Sequence, residues 1–184
     1  MNQIALETCP VLLYREIPLN NNLSAIVDVE DYECLIKWKW RAKKKKNTYY
    51  AYRQSYRKGG GSRIVLMHRL ILNAVEGVEV DHENGNGLDN RRLNLRIATT
   101  AENQHNQTVL RSDNTIGFKG VFKDKRRNKY HGQLQVGEKH LTFGSFDTPQ
   151  EAADLYDEMA IKYFGEFACT NAKMRKIREE KGAK

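Results

Sequence analysis

The chain has 184 residues, 40% of them apolar and 29% charged, a globular composition rather than a disordered one, with room for one domain or two small ones. No apolar run approaches the roughly 18 residues needed to cross a bilayer, so no membrane partner is expected. Lysine and arginine outnumber aspartate and glutamate by 31 to 23, a net charge of +8, which points to a polyanionic partner.

Strands are expected near 11–16 and 24–27, then a helix near 29–36 with Asp28 as its N-cap. Residues 1–36 carry one basic side chain against six acidic ones, whereas 37–63 carry eleven basic residues and no acid. Trp38, Trp40, Tyr49, Tyr50, Tyr52 and Tyr56 interleave with that basic run. The period-two alternation of Trp38-Lys39-Trp40-Arg41 and Tyr50-Ala51-Tyr52-Arg53 predicts strands near 38–42 and 48–55, each with one apolar and one basic face. A turn at Gly59-Gly60-Gly61 leads into a strand near 63–67 and a helix near 67–74. Residues 1–66 therefore read as a β-rich region with a cationic surface that binds phosphate, the phosphate of nucleic acid above all, through Lys43, Lys44, Lys45, Lys46 and Arg53.

Residues 79–82 and 95–98 read as short strands joined by a loop rich in Asn and Gly. Thr99-Thr100-Ala101-Glu102 fits a capping box that opens a helix to about residue 109. The polar stretch 110–115 reads as a linker to a second module at 116–172, followed by a basic tail at 173–184. In that module Val136-Gly137-Glu138-Lys139 suits a two-residue hairpin turn. Thr148-Pro149-Gln150-Glu151 is a second capping box with proline at N1. Leu155, Met159 and Tyr163 form a helical stripe with Ala152, Ala153, Tyr156 and Ala160 beside it, and Gly165 can end the helix. Residues 117–146 hold seven basic and two acidic side chains, while 147–166 hold one basic and six acidic. The sheet, not the helix, is therefore the expected nucleic-acid face.

Cys9, Cys34 and Cys169 form no C-x-x-C pair, and Met1–Glu7 lacks a basic leader. A reducing, cytoplasmic location is expected, with neither a disulfide framework nor structural zinc.

The chemistry concentrates between 79 and 106. Asp81 and His82 are adjacent on an expected strand, so their side chains point to opposite faces. Asp81, turned toward the following helix, could meet Asn103. One carboxylate and one amide oxygen make a half-filled site of hard donors that suits Mg²⁺ or Mn²⁺, one ion per active site. His82 is then free to take a proton from water.

The string Asp81-His82, Asn94 twelve residues after the histidine and Asn103 nine beyond that resembles the HNH endonuclease family, over about 67–109. The resemblance implies a ββα-metal finger in which His82 is the general base and Asp81 and Asn103 are metal ligands. It also implies that Asn94 pins the loop backbone and orients the histidine. Gly117-Phe118-Lys119-Gly120-Val121, Tyr130–Gln135, Leu141–Pro149, Glu151-Ala152-Ala153, Leu155-Tyr156-Asp157 and Asn171 resemble the DNA-binding domain of plant ethylene-response factors. That resemblance implies a three-stranded antiparallel sheet on one helix, with the sheet laid in the major groove. Lys119, Lys123, Lys125, Arg126, Arg127 and Lys129 are expected to position the sheet on phosphates, and Gln133 and Gln135 to read bases.

The expected fold is α+β. The expected function is a metal-dependent endonuclease of the HNH homing type acting on double-stranded DNA. A monomer would nick one strand, and a double-strand break would need a dimer or two events. The alternatives are a DNA-binding regulator with a silent nuclease centre and, with no ribonucleoprotein motif to support it, an RNA-binding protein.

Overall fold

The computed structural model describes residues 13–45, 47–56 and 59–182. Lys46, and residues 11–12 of the first expected strand, lie outside the described residues. The chain divides into two compact units, one of residues up to Ala74 with Asn86–Arg96, the other of Val75–Gly85 with Ile97 onward.

In the first unit β1 (Tyr14–Pro18) and β2 (Ser24–Asp28) form an antiparallel hairpin, and α1 (Val29–Leu35) follows. The side chain of Asp28 makes no cap bond to α1; its carboxylate accepts the Arg92 N–H at 2.7 Å. The strands β3 (Arg41–Lys45), β4 (Thr48–Tyr56) and β5 (Ser62–Leu66) build an antiparallel sheet in the order β3-β4-β5, and α2 (Met67–Ile71) follows. The expected strand at 38–42 begins only at Arg41. The Trp40 ring is buried and its indole N–H donates to the Leu35 carbonyl at 2.8 Å, tying this segment to the end of α1. Ile17, Ala25, Val27, Leu35, Trp40, Ala51, Met67 and Ile71 are buried in this unit.

The loop Asn86–Arg96 belongs here because its backbone bonds alongside β2 in a parallel bridge at Ile26. The Ile26 N–H donates to the Leu88 carbonyl at 2.8 Å, and the Asn90 N–H returns to the Ile26 carbonyl at 2.7 Å. The amide N–H of Gly87 also donates to the Thr48 hydroxyl at 2.9 Å.

The second unit holds β6 (Glu79–His82), the last two residues of its strand partner β7 (Leu95–Ala98), which passes from the first unit into the second, and then α3 (Thr100–His105). Next come β8 (Val121–Asp124), β9 (Lys129–Val136) and β10 (Lys139–Phe146), an antiparallel sheet ordered β10-β9-β8, then α4 (Pro149–Phe164) and α5 (Asn171–Gly182). The α4 face against the sheet centres on Ala152, Ala153, Tyr156 and Ala160, which pack on Val121 and Leu134. Leu155 and Met159 flank that face, and Tyr163 is exposed. Small residues let helix and sheet backbones approach closely, so the alanines rather than the longer stripe are the inner row. Gly120 takes φ +68° and the Tyr156 ring fills the space where a Cβ would stand, so only glycine serves there.

Residues 173–182 are not a tail. They are most of α5, with Met174 and Ile177 buried. The boundary expected at 110–115 also falls inside the second unit, because α3 is bound to the module beyond it. The Lys119 ammonium donates to the carbonyls of His105 and Gln107, each at 2.9 Å, and the His105 ring stacks on Phe164 with centroids 3.6 Å apart.

Candidate active site

β6 reads Glu-Val-Asp-His, so Glu79 and Asp81 share one face and Val80 and His82 the other. α3 starts where the sequence places it. The Thr99 hydroxyl accepts the Glu102 N–H and the Glu102 carboxylate accepts the Thr99 N–H, completing the capping box. From this fixed start, Thr100, Asn103 and Asn106 fall three residues apart and form one row along the helix.

That row meets the carboxylate row of β6. The Thr100 hydroxyl donates to Glu79 Oε1 at 3.0 Å, and the Asn103 amide donates to Glu79 Oε2 at 2.6 Å. The Asn106 amide donates to both oxygens of Asp81, at 3.2 and 2.9 Å, and lies 3.1 Å from the carbonyls of His82 and Glu83. Asp81 does face α3, as its strand position requires, but the amide placed against it is Asn106, while Asn103 is held by Glu79. Two residues of strand advance about 6.5 Å and three of helix about 4.5 Å, so the two rows run side by side and each amide meets the carboxylate level with it. Glu79 and Asn106 are the residues that sequence reasoning missed. Their signal was present as an acidic i, i+2 pair facing a polar i, i+3, i+6 row.

Asp81 and His82 are both buried. Gly85, at φ +68°, turns the chain directly after them, its N–H donating to the His82 carbonyl at 2.9 Å. α3 stops at His105 rather than near 109. Asn106 stands at its C-cap with its side chain turned into β6, and the Lys119 ammonium takes the carbonyls of His105 and Gln107. Burial lowers the Lys119 ammonium from the usual lysine value, with nearby Lys173 adding to the shift. Burial, then Lys119, also lowers the His105 imidazole.

In the first unit Asn94 is buried, and its amide donates to the Asp89 carbonyl at 2.7 Å, closing the Asn/Gly-rich loop on itself. His68 is buried edge-on to Tyr50. Among the described residues, one group of three carboxylates lies close enough to hold a metal: Asp28, Glu30 and Asp31. It is occupied by Arg92, whose guanidinium binds Asp31 through two bonds at 2.9 and 2.7 Å and lies 3.3 Å from Glu30.

No protein-family model matches the chain. A protein of Acanthamoeba polyphaga mimivirus named an uncharacterized HNH endonuclease is 32% identical over 153 residues, covering 80% of this chain and 74% of the relative. The chain belongs to the HNH endonuclease family. Escherichia phage T7 contributes a second relative, named Protein 3.8, 35% identical over 81 residues, which are 44% of this chain and 66% of the relative.

The basic residues of this HNH family member differ in their freedom. Lys43, Lys44 and Lys45 are exposed on β3, and Lys125, Arg126 and Arg127 are exposed in the turn between β8 and β9. Gln133 and Gln135 project from the sheet face opposite Leu134, which is buried under α4. Arg53 instead lies over the Trp38 ring at 4.1 Å, with its Nε buried and unbonded. The Lys119 ammonium is committed to α3. Lys129 pairs with Asp147 at 2.6 Å, and Lys123 lies over Tyr130. Among the described residues no helix is long and apolar enough to cross a membrane.

Proposed function

We propose that the chain is a metal-dependent DNA endonuclease of the HNH homing type, nicking one strand of a duplex per active site. The observation that carries this reading is the buried Asp81-His82 step on β6, its carboxylate face matched by the amide row of α3, in a chain whose mimivirus relative is named an HNH endonuclease.

The donor chemistry fits a hard divalent cation. Glu79 takes the Asn103 N–H, so the carbonyl oxygen is the donor atom that Asn103 has left to offer. That oxygen and the Asp81 carboxylate are the hard ligands preferred by Mg²⁺ or Mn²⁺ over softer ions. A bound ion there supplies Lewis acidity to the scissile phosphate. His82, on the opposite strand face, removes the proton from the attacking water. Asn94 closes the loop that follows the histidine, and Asn106 holds Asp81.

Residues 116–172 act as the site reader, in the manner of the ethylene-response-factor domain. Their acidic helix α4 faces away from the sheet surface bearing Gln133 and Gln135, and Lys125, Arg126 and Arg127 anchor that sheet on phosphates. Lys43–Lys45 on β3 supply sequence-independent grip.

The deciding experiment is nicking of supercoiled plasmid with Mg²⁺, with Mn²⁺ and with EDTA, alongside DNA binding under each condition. Nicking confined to the metal-containing reactions is expected. Tight binding with no nicking in either metal would leave a DNA-binding regulator in its place.

A further inference from the structure

We infer that Asn106 is a positioning residue for Asp81, and that Lys173 of α5 holds it in place, so that the C-terminal module sets the geometry of the nuclease centre. This rests on the endonuclease reading above.

The Asn106 side chain is buried and split cleanly between two jobs. Its NH₂ faces four oxygens, two from the Asp81 carboxylate and the carbonyls of His82 and Glu83. Its Oδ1 accepts from the Lys173 ammonium at 3.3 Å. The ammonium is a donor only, so it fixes which end of the amide points at Asp81. An amide turned the other way would set its oxygen against four acceptors and its nitrogen against a cation. Lys173 also lies 3.6 Å from the Glu83 carboxylate, bracketing the end of β6.

Lys173 is itself placed by the module. The Asp157 carboxylate on α4 accepts the N–H groups of Asn171 and Ala172, at 2.7 and 3.0 Å, and so caps α5 from outside. The Asn171 side chain accepts the Lys119 N–H at 2.7 Å and donates to the Lys119 carbonyl at 3.2 Å. A continuous set of bonds therefore runs from α4 through α5 to Asn106 and the Asp81 carboxylate. Groups that orient a ligating carboxylate typically change metal affinity or activity about 10–100-fold when removed.

The test uses the full chain and three readouts: Mn²⁺ binding by calorimetry without DNA, the Mn²⁺ concentration giving half-maximal nicking, and DNA affinity in EDTA. Asn106→Ala should weaken Mn²⁺ binding and raise the nicking midpoint by about 10–100-fold, with DNA affinity unchanged. Lys173→Met, which keeps the aliphatic stem, should shift both in the same direction by less, and Lys173→Arg should restore them. A purely structural role would lower the melting temperature and leave the Mn²⁺ midpoint where it was. If Asn106→Ala does not fold, Lys173→Met decides alone. A wild type that binds Mn²⁺ and nicks, with Lys173→Met and any folded Asn106→Ala matching it in both Mn²⁺ readouts, overturns the inference and spares the endonuclease reading. A wild type that neither binds Mn²⁺ nor nicks overturns both.

Discussion

α3 and α4 begin with the same device and end as different objects. Each opens on a threonine whose hydroxyl accepts the N–H of a glutamate three residues on, with the glutamate returning the bond. α4 then runs for 16 residues on a face of buried alanines and Tyr156, whereas α3 runs for six and buries none of its own residues. A cap chooses where a helix starts, and packing chooses how far it goes. α4 is held by apolar contact with a sheet, so substitutions there should read out in stability. α3 is held by hydrogen bonds to the carboxylates of β6, so substitutions around it should read out in chemistry.

The largest effect should come from the strand that α3 serves. His82→Ala is expected to slow nicking by about 10²–10⁴-fold while DNA affinity holds, since the imidazole handles a proton rather than the duplex. Plasmid nicking beside a gel-shift titration checks it. A variant that nicks as the wild type does would move the general base elsewhere.

On the α4 side, Ala160→Leu forces a larger side chain into a fully buried position between helix and sheet. A cost of about 1–3 kcal/mol is expected, read as a lower denaturation midpoint, with nicking per folded molecule little changed. A large loss of nicking at full stability would erase the distinction between the two helices.

The paired caps sharpen the comparison. Thr148→Ala and Thr99→Ala should each cost about 1 kcal/mol. Only the second should also slow nicking, because it loosens the start of the Thr100-Asn103-Asn106 row. Chemical denaturation and nicking, measured on both proteins, separate the outcomes.

The smallest effect concerns pH. The folded imidazole of His105 titrates below its usual value because it is partly buried and near Lys119. The unfolded chain therefore binds a proton more readily. Stability is full above about pH 6.5 and falls as the pH drops from there through the depressed folded value. His105→Phe keeps a ring on Phe164 and should flatten this component of the melting temperature between about pH 7.5 and about pH 5. An unchanged slope would assign the acid sensitivity to other groups.

Local order was legible in the residues. The short strands at 79–82 and 95–98, both capping boxes and the turn at Gly137 follow from residue pattern, Thr-x-x-Glu spacing and turn chemistry, which act within a few residues, whereas the antiparallel sheet on a helix was expected from the family resemblance. The Asp81-His82 step was legible for the same reason, since strand geometry alone puts the two side chains on opposite faces. Partners far apart in sequence were not legible. Asn106 rather than Asn103 stands against Asp81, Lys119 and Lys173 bind α3 and its C-cap residue, and Asp28 receives the backbone of Arg92 instead of capping α1. Each of these depends on where separate elements come to rest, and a lysine that ends half-buried on a helix terminus looks in sequence like one that would reach a phosphate. The sequence alone determined the alternation of Asp81 and His82 on their strand and the starts of α3 and α4 at their capping boxes. Only the tertiary structure decided where α3 ends, which amide meets which carboxylate, and that residues 173–182 form a helix reaching Asn106, because those outcomes are set by burial and by bonds between residues 12 or more apart.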